Sequence, residues 1–374
     1  MMFVKIKKLN YKGEAIGYSS KGIFKLKHVL PNEVVDVENN YIKKPSKYRI
    51  LPSCRYYYNC EGCNLQISTY EYQVQLKFKF LISTIKKFYS SFSIFDFELS
   101  QPFHYLNTYK RSYYNIKVEF CPLLYEQINE ILKMLPNSVF IRGSKKLNSF
   151  IVLVEYERGL NRDYFLDIYN SSNFISGIIF KKDRSFKLIA GDISYKEKIL
   201  NKTIKISAFS DFDENVYIFE KKLEFIKSYI KNNDIKKTLI IKAEYYPVFL
   251  FEDLNNILAV ERNGYNIRDL DELMRVYDIF NCQLLSVKPS SALETIEDID
   301  LLILNNPILR HIKNIKDKKF KNVLIILRDL KKLYPILKHM KDMGYELFQL
   351  KPFDSYPQIF KFDTILIFQA RRNL

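Results

Sequence analysis

Hydrophobic and polar positions alternate along the first fifty residues in short stretches that turn sequences interrupt. Apolar residues occupy positions Val4, Ile6, Phe24, Leu26, Val34 and Val35. Turn-forming residues separate these stretches at Asn10–Gly13, Ser19–Gly22 and Pro31–Asn32. Alternation bounded by turn residues predicts short strands that each bury one face. We therefore expect a small β-barrel over residues 1–50.

The spacing of apolar residues changes after this region. It predicts a helix from about Tyr70 to Tyr89, and then short strands mixed with one helix near Leu124–Leu135. From Val216 onward, apolar strands alternate with helices. The predicted elements there are helices over 216–231, 267–280 and 330–343, and strands over 238–242, 257–260, 301–304, 323–327 and 364–368. Such alternation indicates a mostly parallel sheet covered on both faces.

Charge and composition narrow the class of protein. The chain carries 59 Lys and Arg against 42 Asp and Glu, a formal net charge of +17 in 374 residues. This excess favours nucleic acid or an anionic surface as partner, although compositional drift towards Lys would give the same charge. A hydrophobic fraction of 47% is ordinary for chains that bury a core, which excludes disorder as the main state.

Membrane insertion and secretion are not expected. No apolar run approaches the roughly 18 residues of a membrane span, and the first residues are too charged for a signal peptide. We expect a cytoplasmic monomer with no membrane partner. In a reducing compartment its five cysteines would be metal ligands, nucleophiles or core residues rather than disulfides.

Four of the cysteines have spacing typical of a metal site. Cys54, Cys60 and Cys63 follow the pattern C-x5-C-x2-C, and Cys121 stands alone before Pro122. Three close thiolates and one distant thiolate favour an iron–sulfur cluster, since structural zinc usually draws two close pairs. Zinc and metal-free buried thiols remain alternatives.

The residues around this cluster resemble a known family. Cys60-Glu61-Gly62-Cys63-Asn64-Leu65-Gln66, followed by Tyr72, Gln75-Leu76 and Lys77, resembles the iron–sulfur signature of bacterial RNA uracil-5-methyltransferases that begin with a TRAM domain. Cys121-Pro122 resembles the pair that holds the fourth ligand in that family. Two later blocks also match: Ile206–Asn215 resembles I-S-x-x-S-F-F-Q-V-N, and Phe353–Thr364 resembles F-D-x-F-P-x-T-x-H-V-E-T.

The resemblance implies a fold, cofactors and a partner. The fold would be a Rossmann-like α/β methyltransferase domain over 206–374, after a TRAM/OB-like RNA-binding β-barrel over 1–50 and a central α+β domain over 51–205. The central domain would carry a 4Fe-4S cluster on Cys54, Cys60, Cys63 and Cys121. The implied cofactor is S-adenosylmethionine, and the implied partner is structured RNA, either rRNA or tRNA.

The expected catalytic parts depart from the family pattern. In the family, a cysteine in an S-C-N-P loop adds to C6 of uracil, and a base then removes the C5 proton. Here Arg328-Asp329-Leu330 follows the predicted strand 323–327 at once, so the loop with the nucleophile is missing. We expect Cys282 to be a small buried hydrophobe rather than a replacement. The position of the base holds Asp363, which is one methylene shorter than the family's Glu.

The expected cofactor turn also departs from the pattern. Methyltransferases of this fold place a glycine-rich turn after the first strand and an acidic residue after the second, for the ribose. The first turn here is Lys242-Ala243-Glu244-Tyr245-Tyr246-Pro247, without glycine, whereas Glu261 matches the acidic residue. Asp213 replaces the Gln of F-Q-V-N, and Asn305-Asn306-Pro307-Ile308 replaces D-P-P-R. These losses leave two main hypotheses: an active methyltransferase with an unusual site, or a non-catalytic relative that binds RNA.

Overall fold

The structure, a computed structural model, describes residues 2–114, 116–135, 138–157, 160–183, 185–315 and 320–370. The chain divides into two compact units. Unit 1 combines Met1–Pro102, Tyr114–Ile116 and Ile326–Leu374, and unit 2 combines Phe103–Tyr113 and Lys117–Ile325. The division into domains 1–50, 51–205 and 206–374 stays a prediction.

The elements are numbered in chain order. The strands are β1 (Phe3–Leu9), β2 (Ala15–Ser19), β3 (Gly22–Leu26), β4 (Val34–Asp36), β5 (Tyr41–Lys44), β6 (Ser93–Ile94), β7 (Thr108–Lys110), β8 (Ser138–Ser144), β9 (Ser149–Glu155), β10 (Ile175–Lys182), β11 (Ser185–Gly191), β12 (Ser194–Ile199), β13 (Lys202–Ser207), β14 (Lys237–Ile241), β15 (Asn256–Val260), β16 (Cys282–Leu285), β17 (Leu301–Asn305), β18 (Asn322–Leu327), β19 (Tyr345–Tyr356) and β20 (Lys361–Ala370). The helices are α1 (Tyr57–Cys60), α2 (Tyr70–Ile85), α3 (Glu126–Met134), α4 (Arg162–Ser171), α5 (Val216–Asn232), α6 (Tyr246–Leu250), α7 (Gly264–Val276), α8 (Pro289–Thr295), α9 (Leu309–Lys313) and α10 (Leu333–Asp342).

The amino-terminal part of unit 1 is a five-stranded sheet in the order β3-β2-β1-β4-β5. All its pairings are antiparallel. In β1 the side chains of Val4 and Ile6 are fully buried, whereas Lys5 and Lys7 are exposed. The predicted strands of this region are confirmed, and their closure into a barrel stays a prediction.

The remainder of unit 1 is built on the hairpin β19–β20. These strands pair antiparallel, and β6 adds to β19 in parallel. Helix α10 contacts both α2 and β19. The predicted helices over 70–89 and 330–343 correspond to α2 and α10, with α2 ending earlier, at Ile85. The long strand β19 was not predicted, because Pro352 lies in its middle and proline usually marks a strand as interrupted.

Unit 2 contains a mixed sheet and a parallel sheet. The mixed sheet has the order β11-β10-β9-β8-β7, and β12 and β13 form a separate hairpin. Strands β16, β15, β14 and β17 lie side by side and are all parallel. Buried parallel strands of this kind have nearly continuous apolar sequences, as Leu239–Ile241 and Leu301–Leu304 do. The predicted Rossmann-like α/β architecture is therefore confirmed.

Helix α7 shows how local contacts move a predicted boundary. The prediction placed this helix over 267–280, but it runs from Gly264 to Val276. It begins earlier because the Asn263 side chain accepts a hydrogen bond from Tyr265 N, which caps the first turn. It ends earlier because Asp278 has a left-handed backbone, with a φ of 51°.

No helix in the ranges that the structure describes is long and apolar enough to cross a bilayer.

Candidate functional site

The candidate cofactor residues of unit 2 lie at the carboxyl ends of neighbouring parallel strands. Lys242 follows β14, Glu261 follows β15, and Asn305 ends β17. Because the order of these strands is β15-β14-β17, the three residues lie along one edge of the sheet. In open α/β sheets this edge is where ligands bind.

The Glu261 carboxylate is bound by backbone amides. Its Oε1 accepts hydrogen bonds from Arg262 N at 2.7 Å and Asn263 N at 2.9 Å, and its Oε2 accepts one from Glu244 N at 3.0 Å. The residue is 3% exposed. The predicted ribose-binding acid therefore joins the turn after β14 to the turn after β15. These three bonds use most of the roughly four acceptor sites of the carboxylate, which leaves little capacity for the two hydroxyls of a ribose.

The turn after β14 keeps an unusual backbone although it contains no glycine. Lys242 and Glu244 have φ values of 63° and 45°, in the left-handed region that favours glycine. The amides of Lys242 and Ala243 both donate to Val260 O, and Asn305 Nδ2 donates to Lys242 O at 3.0 Å. These bonds hold the strained backbone in place. Asn305, at the position of the family's Asp, thus supports the turn.

Two buried tyrosines follow this turn. The side chains of Tyr245 and Tyr246 have no exposed surface. The Tyr245 ring lies edge-on to Phe212, with centroids 5.5 Å apart, and the Tyr246 ring lies at 64° to Phe219, with centroids 5.3 Å apart. Both rings therefore pack into the interior of unit 2 against the segment that begins at Ile206 and against α5.

Asp269 of α7 accepts four hydrogen bonds in this interior. Its Oδ1 accepts from Ser207 Oγ, and its Oδ2 accepts from Ser207 N, Ser210 Oγ and the Tyr245 hydroxyl, at distances between 2.5 and 2.9 Å. Burial, reinforced by the adjacent Asp269 carboxylate, raises the pKa of Tyr245 well above its ordinary value. Sequence analysis did not select Asp269. The available signal was a polar residue next to Leu270 on the buried face of an amphipathic helix.

A second bond pair fixes the same segment to α7. Asp211 N donates to Asn266 Oδ1 at 2.9 Å, and Asn266 Nδ2 donates to Asp211 O at 3.0 Å. The Ile206–Asn215 block that resembles the family is therefore held on α7 by Asn266 and Asp269.

Asp213, which replaces the family's Gln, forms a buried ion pair. Lys222 Nζ of α5 lies 2.9 Å from Asp213 Oδ1 and 3.0 Å from Oδ2, and both side chains are nearly or fully buried. A buried ammonium requires an acceptor of opposite charge. The carboxylate at position 213 therefore neutralises Lys222.

The structure supplies no activated cysteine at the position of the family nucleophile. Strand β18 ends at Leu327, and the chain passes through Arg328 into a short turn, where the Asp329 carboxylate accepts from Lys331 N at 3.2 Å. Cys282 begins β16 and is buried, as predicted, and burial raises the pKa of its thiol to about 12. At neutral pH this thiol is protonated and weakly nucleophilic.

The predicted base, Asp363, belongs to unit 1. It lies on β20, is fully buried, and pairs with Phe353 of β19. The predicted ribose-binding residue, Glu261, belongs to unit 2, so the two predicted site residues lie in different units.

The cysteines of the predicted cluster lie in both units. Cys54, Cys60 and Cys63 belong to unit 1, where Gln66 accepts from Cys54 N at 3.2 Å and its Nε2 lies 3.3 Å from Cys63 Sγ. Cys121 belongs to unit 2 and is buried. Within the described ranges, no group of three or more His, Cys, Asp or Glu side chains is arranged to hold a metal ion. Thiolates are the ligands that an iron–sulfur cluster or a structural zinc ion would use.

Lys77 of the signature and the nearby Gln73 join the two family-like blocks of unit 1. Lys77 Nζ lies 2.6 Å from Asp354 Oδ1 and donates to Tyr356 O at 2.9 Å, with both charged side chains fully buried. Gln73 Nε2 donates to Gln358 Oε1 at 2.8 Å, and Gln358 N donates back to Gln73 Oε1 at 2.9 Å. The segment after the cysteines and the last block are therefore one structural assembly.

Comparison with known proteins finds relatives that are named as RNA methyltransferases. No family model matches the chain. An uncharacterized RNA methyltransferase of Streptococcus pneumoniae is 31% identical over 97 residues, which cover 23% of this chain and 22% of that protein. The tRNA/tmRNA (uracil-C(5))-methyltransferase of Campylobacter hominis is 25% identical over 264 residues, which cover 63% of this chain and 72% of that protein.

The fold matches a solved structure along almost the entire chain. The Pyrococcus abyssi tRNA (uracil-54, C5)-methyltransferase, solved with S-adenosyl-L-homocysteine, has a TM-score of 0.74 at 15% identity and covers 98% of this chain and 100% of its own. At this identity the likeness concerns the fold alone. The match to the first curated relatives spans only about a fifth of their length. By its three sequence blocks and these relatives, the chain is similar to RNA uracil-5-methyltransferases.

Proposed function

We propose that this protein binds structured RNA, either rRNA or tRNA, and does not carry out the methyl transfer of its family. The formal charge of +17 and the RNA methyltransferase relatives support RNA binding. The observation that supports the loss of catalysis is the hydrogen bonding and burial of the Glu261 carboxylate. It accepts from the amides of Glu244, Arg262 and Asn263, and the residue is 3% exposed.

The chemistry of uracil C5 methylation supports the same proposal. The reaction requires a thiolate that adds to C6 and a base that then removes the C5 proton. With a pKa of about 12, the Cys282 thiol would be ionised in only about one molecule in 10⁵ at pH 7. The sequence has no other cysteine after position 121. A protein built this way would retain RNA binding without turnover.

The second candidate function is an active, S-adenosylmethionine-dependent RNA uridine-C5 methyltransferase. The left-handed backbone at Lys242 and Glu244 favours it, because a cofactor turn needs this conformation. Glu261 would be the residue that contacts the ribose hydroxyls of S-adenosylmethionine, and Asp363 would be the base. In the described arrangement Glu261 fits that role poorly, since three backbone amides already use most of the acceptor sites of its carboxylate.

Calorimetry with S-adenosylmethionine separates the two candidates. We expect no binding heat for the unmodified protein at cofactor concentrations up to 1 mM, on the order of the upper range of natural KM values. Binding with a micromolar Kd that the variant Glu261→Gln weakens would contradict the loss of the cofactor site and favour the second candidate. Asp271→Asn, on the exposed side of α7, is the matched control for loss of one carboxylate.

RNA binding is tested on its own. Purified rRNA and tRNA should bind, and the affinity should fall steeply with added salt, because lysine and arginine contacts to phosphate release counterions. Sequencing of cellular RNA with and without the gene should find the same 5-methyluridine positions. Salt-independent affinity would contradict RNA binding through phosphates, and a lost methylation would contradict the non-catalytic proposal.

The 4Fe-4S cluster is a separate proposal. It is supported by the spacing of Cys54, Cys60, Cys63 and Cys121 and by the family signature around them. Zinc is the alternative metal. The domain roles, the location and the oligomeric state are likewise proposals. They are a TRAM-like role for residues 1–50, a central domain over 51–205, a methyltransferase domain over 206–374, a cytoplasmic location and a monomeric state.

A further inference from the structure

Unit 1 contains a basic cavity that the cofactor and cysteine sites do not use. The cavity has a volume of about 820 Å³. Residues of β1, of the turn after it, and of α2 line it. We call this cavity the lysine groove, after the four lysines that line it together with two tyrosines: Lys7, Lys8, Lys79, Lys87, Tyr11 and Tyr48.

The lysine groove is positively charged without internal neutralisation. No Asp or Glu is among its lining residues. Lys7, Lys8, Lys79 and Lys87 are all exposed, and within the described chain none of their ammonium groups forms an ion pair with a carboxylate. Four positive charges without a carboxylate partner around one concave surface favour a polyanionic ligand.

The spacing of the lysines favours an extended ligand. Lys79 lies on α2, and Lys87 follows the end of that helix, where its amide still donates to Thr84 O at 3.4 Å. Eight residues at a rise of 1.5 Å correspond to about 12 Å along the helix. Positive charges spread over this length suit a ligand that carries several negative charges along a chain.

Aromatic rings in the groove favour RNA over other polyanions. Tyr48 stacks on Tyr72 with ring centroids 4.1 Å apart and planes at 14°, which fixes its orientation. Tyr11, in the turn after β1, is 45% exposed, and Lys12 Nζ lies 6.0 Å from the centroid of its ring. Exposed aromatic rings beside a basic groove are the means by which proteins stack unpaired bases. An acidic peptide would use the lysines but would gain little from the Tyr11 ring.

We propose that the lysine groove binds an unpaired segment of RNA, with the phosphates along Lys7, Lys8, Lys79 and Lys87 and a base stacked on Tyr11. This inference rests on the proposed RNA-binding function and deepens it by assigning a surface and a single-stranded form of the ligand.

The test compares pairs of lysine variants. The probe is a fluorescein-labelled 12-nucleotide oligouridine, measured by anisotropy over a range of salt concentrations. We expect Lys79→Gln/Lys87→Gln to weaken binding about tenfold and to reduce the slope of log K against log salt by about 1.4, since each phosphate contact contributes about 0.7 for single strands. The matched control is Lys21→Gln/Lys25→Gln, which removes two exposed lysines of unit 1 outside the groove. It should change the affinity less than twofold.

A second pair of variants tests stacking. Tyr11→Ala should weaken oligouridine binding about tenfold, within the range measured for loss of one stacked base, whereas Tyr11→Phe should leave it unchanged. Equal effects of the two lysine pairs would overturn the assignment of the groove. A 12-residue oligoglutamate that competes with oligouridine, combined with no effect of Tyr11→Ala, would assign the groove to an acidic peptide instead.

The two proposals fail in distinguishable ways. If the unmodified protein binds neither oligouridine nor purified rRNA and tRNA, the proposed RNA-binding function is wrong. If it binds these RNAs and the groove variants bind equally well, only the assignment of the groove is wrong. All substituted side chains are exposed, and unchanged thermal unfolding would show that the variants fold.

Discussion

The Tyr245 hydroxyl donates a hydrogen bond to the Asp269 carboxylate, with 2.5 Å between Tyr245 Oη and Asp269 Oδ2. The two residues are separated by 24 positions and both are buried. Tyr245 follows the turn after β14, and Asp269 lies on α7 and also binds Ser207 and Ser210. The turn that would receive a cofactor and a family-like block are thus tied to the same carboxylate.

Removing the Tyr245 hydroxyl should destabilise the protein. Tyr245→Phe leaves the ring in place but takes one donor from a buried carboxylate, and hydrogen bonds to charged groups contribute roughly 1.5–3 kcal/mol. We expect a loss of about 2 kcal/mol in the free energy of unfolding, measured by urea denaturation. The control is Tyr265→Phe, the same change at a half-buried ring of α7. Equal stability of the two variants would contradict a structural role of this bond.

The buried pair of Lys77 and Asp354 should show strong coupling. Burial lowers the pKa of Lys77, and the Asp354 carboxylate opposes this shift. Lys77→Met would leave Asp354 buried without its ammonium partner, which should cost roughly 3–5 kcal/mol. Lys77→Met/Asp354→Asn should recover much of that loss, because both charges are then removed. Denaturation of the single and double variants gives the coupling energy.

An exposed pair of the same type provides the control for this cycle. Arg275 and Asp271 are 77% and 56% exposed and lie four residues apart on α7. Arg275→Met should change stability by less than about 1 kcal/mol. A Lys77→Met effect no larger than this, or a double variant as unstable as the sum of its parts, would show that the Lys77 pair contributes little.

The strands of the parallel sheet could be predicted from sequence because strands buried on both faces have continuous apolar sequences. The segments 238–242, 257–260, 301–304 and 323–327 are short apolar runs, and each corresponds to a strand. Strand β19 was missed because its centre contains Pro352. Helices α8 and α9 were missed because seven and five residues are too few for a helical period to emerge.

The candidate site was predictable in position but not in detail. Glu261 could be placed at the end of a strand, because an acidic residue after an apolar run has a recognisable place in this fold. Its three amide donors were not predictable, since backbone groups are present at every residue. The hydrogen bond between Tyr245 and Asp269 could not be predicted, because it depends on how α7 packs.

Stability should depend on pH through Glu197 of β12. Its side chain is 1% exposed, and burial raises its pKa from 4.5 to about 7, although hydrogen bonds from Ser144 and the Lys198 amide oppose the shift. Between these two pKa values the folded protein holds a proton that the unfolded chain releases. The free energy of unfolding should therefore fall as pH rises from about 4.5 to 7, by roughly 3 kcal/mol in total.

The variant Glu197→Gln isolates this contribution. Glutamine keeps an oxygen that can accept from Ser144 Oγ but does not ionise. We expect the variant to be more stable than the unmodified protein at pH 8 and to have a flatter stability profile between pH 5 and 7. Glu38→Gln, a carboxylate change near the surface of unit 1, is the control. A profile that Glu197→Gln leaves unchanged would contradict the raised pKa.

Metal content decides the role of the cysteines. If Cys54, Cys60, Cys63 and Cys121 hold a 4Fe-4S cluster, anaerobically purified protein should be brown and contain about four irons per chain. Cys63→Ser should remove most of the iron, because loss of one thiolate leaves three ligands for four irons. Cys282→Ser should retain it, since Cys282 is a buried residue of β16 outside the set. Colourless protein with about one zinc per chain would establish a zinc site, and protein without either metal would show that the thiols are unliganded.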